Sequence, residues 1–327
     1  MTRSRIAIGC VALFGLSIAA GRTAEAGIVR HDVSESDHTA LAAGFSQVGR
    51  WSGGQTGGIL IGADWVVTAR HLGIGTGRTF SIGGADYQAV EVVNHPDFRG
   101  GGRLAEGGDL TLVRLANPVT GVTPIGYNAR TDEVGRIAVA TGRGSRGNGL
   151  DGVLTGGGPL LAGFNVLDAT GDQIVDSGGN AWDERLLLAD FDAPAGADPT
   201  GNEWDGLNNS LGPLGSDPAP LPLEFQLAGG DSGSGLFLDF GDGLGPTLAG
   251  VNSFVFAGSE DGRFDTYGAG FGVTRLSGYT DWIELTTGVA AINAAAVPEP
   301  TTCSLLGLAA LTAVGRRRLG GRTRLDD

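Results

Sequence analysis

The sequence predicts an all-β fold, and three observations carry the prediction. Short apolar alternations recur along the chain. Glycine turns separate them, 60 glycines in 327 residues. Runs with helical period are scarce, so the period-2 pattern dominates. At 41% hydrophobic content the chain is long enough to bury a large core without staples.

The first 26 residues read as an export signal. Arg3 and Arg5 form a basic start, Ile6 to Ala20 is apolar, and Ala24-Glu25-Ala26 fits a cleavage site. The apolar stretch is short for a membrane span. Beyond it, Gly57 to Ile61 and Trp65 to Ala69 predict two strands around a turn at Gly62-Ala63-Asp64. Thr79–Ile82 and Tyr87–Val93 predict a hairpin through Gly83-Gly84, and Leu110–Leu115 predicts another strand. Residues 136–142 open a second half. Residues 143–222 are rich in glycine and aspartate, and only Leu186–Phe191 reads clearly as a strand. Gly235–Phe240 and Pro246–Phe256 form a hairpin pattern around Gly241-Asp242-Gly243. Near residue 280, Ser277 can cap a helix whose apolar face is Trp282 and Ile283.

Composition removes several chemistries. The two cysteines, Cys10 and Cys303, lie near the two ends, so the intervening domain offers no disulfide, thiol nucleophile or cysteine-bound zinc. All 22 basic residues are arginine, which excludes a serine–lysine dyad or a Schiff base. The net charge of −14 disfavours nucleic acid and anionic membranes.

One stretch concentrates chemistry: Gly229-Gly230-Asp231-Ser232-Gly233-Ser234-Gly235. Glycines on both sides let a serine sit on a strained turn with its hydroxyl exposed. Successive N–H groups there can converge on one oxygen. Upstream, His71 follows a buried strand and is placed to act as a general base. Asp109 opens another strand, where its carboxylate can accept the Nδ1–H of a histidine and fix its tautomer. His31 and His38 read as surface histidines, and His95 as part of a structural turn. The acidic residues Asp190, Asp192, Asp198, Glu203, Asp205 and Asp217 could hold a structural Ca²⁺ through oxygen ligands, although their spacing matches no known calcium loop.

Trp65-Val66-Val67-Thr68-Ala69-Arg70-His71 resembles the histidine motif of the chymotrypsin-like serine peptidases, with Arg70 departing from the usual small residue. Asp109-Leu110-Thr111-Leu112-Val113-Arg114-Leu115, the serine loop, Asn94-His95-Pro96, Gly250–Phe254 and Gly272–Ile283 extend the resemblance over roughly residues 28–288. The order His–Asp–Ser is that of the chymotrypsin type. The resemblance implies two six-stranded antiparallel β-barrels. Residues 27–130 would form the first, and residues 131–288 the second, with a long loop insertion at 143–222.

It implies a serine endopeptidase in which Ser232 is the nucleophile, His71 the base and Asp109 the orienting carboxylate. The N–H groups of Gly230 and Ser232 would form the oxyanion hole. No cofactor is needed for that chemistry. Gln226, six residues before the nucleophile, would floor the substrate pocket, with Ser253 and Phe271 beside it. A neutral, fairly small P1 residue is expected. Asp231 would pair with a new N-terminal amine at Ile28, which requires removal of Gly27 after export. A non-catalytic surface or matrix protein on the same scaffold is the alternative.

After a linker at 289–297, Val297-Pro298-Glu299-Pro300, an apolar run and Arg316-Arg317-Arg318 resemble a PEP-CTERM sorting tail over residues 298–327. That resemblance implies transient membrane association, processing by an exosortase and delivery to the cell exterior, where the partner would be a protein or peptide substrate.

Overall fold

In a computed structural model, the described residues are 27–54, 56–174, 179–197, 216–257 and 262–292. The export segment, the sorting tail, Asp198, Glu203 and Asp205 lie outside them. Among the described residues no helix is long and apolar enough to cross a membrane.

The first half is a closed barrel of six antiparallel strands. These are β2 (Val48–Trp51), β3 (Gly57–Leu60), β4 (Trp65–Thr68), β5 (Thr79–Ile82), β6 (Ala85–Asn94) and β7 (Thr111–Leu115). Their order around the barrel is β2-β3-β4-β7-β6-β5. Successive side chains on a strand point to opposite faces. Leu60, Val66 and Val113 accordingly join Trp51 and Phe80 inside the barrel. Ile59, Val67 and Leu112 face outward, where Phe237, Leu248 and Val251 of the second half cover them. Both faces of β3 and β4 are therefore buried, which explains their continuous apolar runs.

The second half departs from the expected closed barrel. Strands β8 (Ile137–Gly142), β11 (Leu161–Val166), β12 (Ala169–Thr170), β13 (Leu186–Asp190), β15 (Gly235–Leu238), β16 (Thr247–Phe256) and β17 (Gly270–Arg275) form one seven-stranded sheet. Its order is β11-β8-β15-β16-β17-β13-β12. A separate four-stranded sheet, β10-β9-β1-β14, lies beside it. It uses β1 (Ile28–Val29), β9 (Arg146–Asn148), β10 (Gly152–Thr155) and β14 (Phe225–Gln226). The strand β14 is only two residues long because the chain then turns into the glycine-rich serine loop, so it cannot complete a ladder with the larger sheet. The observed architecture is a closed six-stranded barrel joined to a half-barrel.

Among the described residues two α-helices complete the fold. The first, α1 (Glu35–Ala42), was not anticipated. Ser34 caps it by accepting the Ser36 N–H. Its His38 is fully buried, not exposed as expected, and the ring Nδ1–H donates to the Ala162 carbonyl at 2.9 Å. Burial pushes the pKa of His38 down, favouring the neutral ring. The second, α2 (Thr280–Thr287), ends at Gly288 in the left-handed conformation. Ile283 buries its face against the core shared by the two halves. Ser277 does not cap α2; its hydroxyl donates to Glu133 Oε1 at 2.9 Å.

Candidate active site

Strand β4 delivers His71 to the crevice between the halves. The strand stops at Thr68, and a 3-10 turn at Arg70–Leu72 follows, closed by Gly73 at φ 61°. The departing residue, Arg70, lays its guanidinium over the Phe98 ring at 5.5 Å, which accommodates the bulk.

Asp109 is set by two consecutive left-handed glycines, Gly107 (φ 74°) and Gly108 (φ 72°). A side chain at Gly108 would come within 2.7 Å of the Asp97 backbone as well as being strained. The Gly108 N–H donates to the Tyr279 hydroxyl at 2.7 Å, so the chain just before α2 holds this turn. Asp109 is fully buried and receives three donors. The His71 backbone N–H reaches Oδ1 at 2.8 Å, and the His71 Nδ1–H reaches Oδ2 at 2.7 Å. The Ser253 hydroxyl reaches Oδ2 at 2.5 Å. A carboxylate only accepts, so the imidazole proton is fixed on Nδ1 and Nε2 is left as the acceptor.

Ser232 is carried in from the opposite half. Gly57 N–H donates to its carbonyl at 3.0 Å, and the Gly233 N–H donates to the Asn252 carbonyl at 2.9 Å. Gly233 has φ 78° and packs so closely that a Cβ there would lie 2.4 Å from Thr68 Oγ1 and 2.8 Å from Leu72. The serine turn is thereby pressed against the end of β4 that carries His71. Among the described residues no hydrogen bond joins the Ser232 hydroxyl to the His71 ring. Catalytic hydrogen bonds are often loose without substrate.

The loop also frees two donors. Asp231 N–H is used by Ala228 O, and Ser234 N–H by Asp231 O. Gly230 adopts φ 102°, which a side chain rarely allows. The N–H groups of Gly230 and Ser232 have no acceptor among the described residues.

A cavity of about 280 Å³ opens beside Ser232. Leu104, Ala228, Gly229, Ser253, Phe254 and Val255 are among its lining residues. Two of the expected pocket residues are elsewhere. Gln226 is fully buried, with its Nε2 donating to the Phe264 and Gly270 carbonyls, both at 3.1 Å. Phe271 is fully buried in β17, opposite Ala189 of β13. Only Ser253 of that trio lines the cavity, and it also bonds to Asp109. That second role was not read from the sequence, because a serine in a strand has no local signature.

Asp231 is buried beneath the loop. Its carboxylate accepts from Gly144 N–H at 2.6 Å and Ala228 N–H at 2.8 Å. Burial pushes its pKa up to about 7, against the pull of backbone donors that include Arg143 and Gly27. The residue that meets Asp231 is therefore Gly27. Ile28 is fully buried in β1, paired with Gln226 and Gly147. The remaining histidines are structural. His31 Nδ1 contacts the Tyr267 hydroxyl at 2.8 Å, and His95 stands edge-on to Tyr279 and Trp282.

The trypsin family model matches residues 33–157, a span that holds His71 and Asp109 but not Ser232. No curated protein matches the chain in sequence. Among solved structures it is similar to neuropsin, a serine protease expressed in the limbic system of mouse brain, at 17% identity and a TM-score of 0.53. That match covers 79% of this chain and 98% of neuropsin. The chain therefore has the chymotrypsin-like fold and carries a trypsin-family sequence pattern across its first half.

Proposed function

We propose that the chain is an exported serine endopeptidase. The observation that carries this reading is the convergence of three donors on buried Asp109, two of them from His71. A buried carboxylate used in this way stabilises the imidazolium that forms when His71 accepts a proton.

In the proposed reaction Ser232 Oγ attacks the peptide carbonyl carbon while its proton passes to His71 Nε2. The carbonyl π pair moves to oxygen, and the N–H groups of Gly230 and Ser232 receive that charge. Loss of one such donor typically costs roughly 3–4 kcal/mol of barrier. The tetrahedral species expels the amine, which takes the proton from His71. Water then repeats the sequence in reverse roles, releasing the acid and restoring the Ser232 hydroxyl.

Val255 and Phe254 line the cavity next to Ser232, and its one carboxylate, Asp231, is occupied by backbone donors. A small neutral P1 side chain fits this wall best. Cleavage after Ala or Val should outpace cleavage after Arg in a peptide library. Export and exosortase processing remain part of the proposal, because both rest on the terminal sequence motifs.

A fluorophosphonate probe should label Ser232 in the wild type and not in His71→Ala. A rival reading, a non-catalytic surface protein on this scaffold, draws on the missing hydrogen bond between Ser232 and His71. Folded protein that neither labels nor cleaves any library peptide would favour that rival.

A further inference from the structure

A second cavity, of about 640 Å³, opens between α1, β2, the turn joining β5 to β6 and the loop before β11. Phe45, Val48, Pro159 and Leu160 give it apolar walls, and its charged lining residues are Arg50 and Arg143. It has no lining residue in common with the cavity beside Ser232. Both arginines nonetheless sit one step from the serine turn. Arg50 of β2 is the ladder partner of Gly57, whose N–H holds the Ser232 carbonyl at 3.0 Å. Arg143 directly precedes Gly144, whose N–H holds the Asp231 carboxylate at 2.6 Å. Gly144 is pressed so close to the turn that a Cβ there would lie 2.5 Å from the Gly229 carbonyl oxygen.

Neither guanidinium has an ion pair or a hydrogen bond among the described residues, and the Arg143 Nε–H is buried without an acceptor. By contrast, Arg30, Arg114, Arg130, Arg185 and Arg275 each hold a carboxylate, in a chain whose net charge is −14. The charge that bears on Arg143 is that of Arg50. Burial first, and then this like charge, push the Arg143 pKa down. Two cations in one cavity repel, and a buried donor without an acceptor costs free energy. An anion held by both arginines removes the two penalties together.

We propose that Arg50 and Arg143 form a subsite for an acidic side chain in the leaving-group half of the peptide substrate. The inference rests on the peptidase reading given above. In that reading the acyl half lies in the cavity lined by Ser253 and Val255. The residues beyond the scissile bond leave the serine turn away from that cavity, and the arginines flank the turn there through Gly57 and Gly144. An extended peptide advances about 3.3 Å per residue, so the acid stands within the first few positions after the cut. A guanidinium fork pairs with a carboxylate through two parallel N–H···O bonds. The apolar walls at Phe45 and Pro159 suit the methylenes of a glutamate.

The test is fluorescence-anisotropy binding of labelled peptides to full-length Ser232→Ala protein, which needs no catalysis. Each peptide carries Ala on the acyl side of the cut. Glu, Gln or Lys is placed in turn at successive leaving-group positions. At one position Glu should bind about tenfold tighter than Gln or better, with the gap shrinking as salt rises. Arg143→Gln and Arg50→Gln should each abolish that preference, and Arg143→Glu should favour Lys. Arg50 is exposed, so its variant decides the matter if an Arg143 variant fails to fold. Equal binding of the Glu and Gln peptides, or a Glu preference that survives Arg50→Gln, would overturn the proposal. So would saturable binding of free succinate with no discrimination among the peptides. A wild-type chain that cleaves none of the peptides counts against the peptidase reading, whereas the binding comparison decides the subsite.

Discussion

The main-chain N–H of Gly57 donates to the carbonyl oxygen of Ser232 at 3.0 Å, so a strand of the first barrel holds the serine of the second half. No side chain fits at this contact. A Cβ on residue 57 would lie 2.1 Å from Ser234 Oγ and 2.8 Å from the Ser234 nitrogen. Gly57→Ala must push the serine loop away from His71. Displacement near 1 Å can cost about 100-fold in rate. We expect fluorophosphonate labelling to slow by about that factor while circular dichroism stays that of a β protein. Labelling at the wild-type rate would show that the contact does not position Ser232.

Ser253 is the second residue to test. Its hydroxyl and the His71 Nδ1–H share Oδ2 of Asp109. A hydrogen bond to a charged group contributes about 1.5–3 kcal/mol. If that bond helps Asp109 support the imidazolium, Ser253→Ala lowers kcat by about 10–100-fold with KM little changed. A rise in KM at constant kcat would instead confine Ser253 to the cavity wall.

The N-terminal contact predicts a pH dependence. The Asp231 pKa is pushed up to about 7 from an ordinary 3.8 when the neighbouring Gly27 nitrogen is a neutral amide. A folded-state value above the unfolded one means that the native state binds more protons between them. Stability therefore falls as pH rises from about 3.8 to about 7 and levels off beyond. Cleavage after Ala26 would turn that amide into an ammonium beside the carboxylate and remove the loss. Tm profiles of the uncleaved chain and of the form beginning at Gly27 should thus diverge over this window. No further trimming to Ile28 is then needed, and N-terminal sequencing of active protein should return Gly27.

Glu133 predicts a large stability effect far from the crevice. Fully buried, it accepts from Arg275 at 2.6 and 3.1 Å, from Ser277 at 2.9 Å and from Asn128 at 3.1 Å. Removing one partner of a buried pair costs about 3–5 kcal/mol. Glu133→Ala should lower Tm by about 10 °C in thermal unfolding. A shift of a degree or two would mean that water replaces the carboxylate without penalty.

What the sequence made legible follows from where local pattern and tertiary demand agree. Strands β3, β4 and β7 were readable because both of their faces are buried, and their apolar runs end at His71 and begin just after Asp109. The helix α1 was not readable. It is eight residues long, and its buried side chains are only His38 and Ala42, so it has no apolar stripe. Strand β11 was missed in the glycine-rich middle for a related reason. Gly163 makes room for Phe225, and the buried Asn165 bonds to the Asp190 and Phe225 carbonyls, which breaks the apolar alternation. Spacing places Gln226 near Ser232 in the chain but cannot reveal that its amide is spent on the Phe264 and Gly270 carbonyls.

The hold on Asp109 has a consequence for biosynthesis. The hydroxyl of Ser253 that reaches its carboxylate lies 144 residues downstream, and the Tyr279 hydroxyl that secures its preceding glycine lies 171 residues downstream of that glycine. A nascent chain can thus close its first barrel while the carboxylate is still without its full set of donors. Any proteolytic capacity would arise only after Tyr279 has been made, sparing neighbouring polypeptides while the preceding stretch is being synthesised.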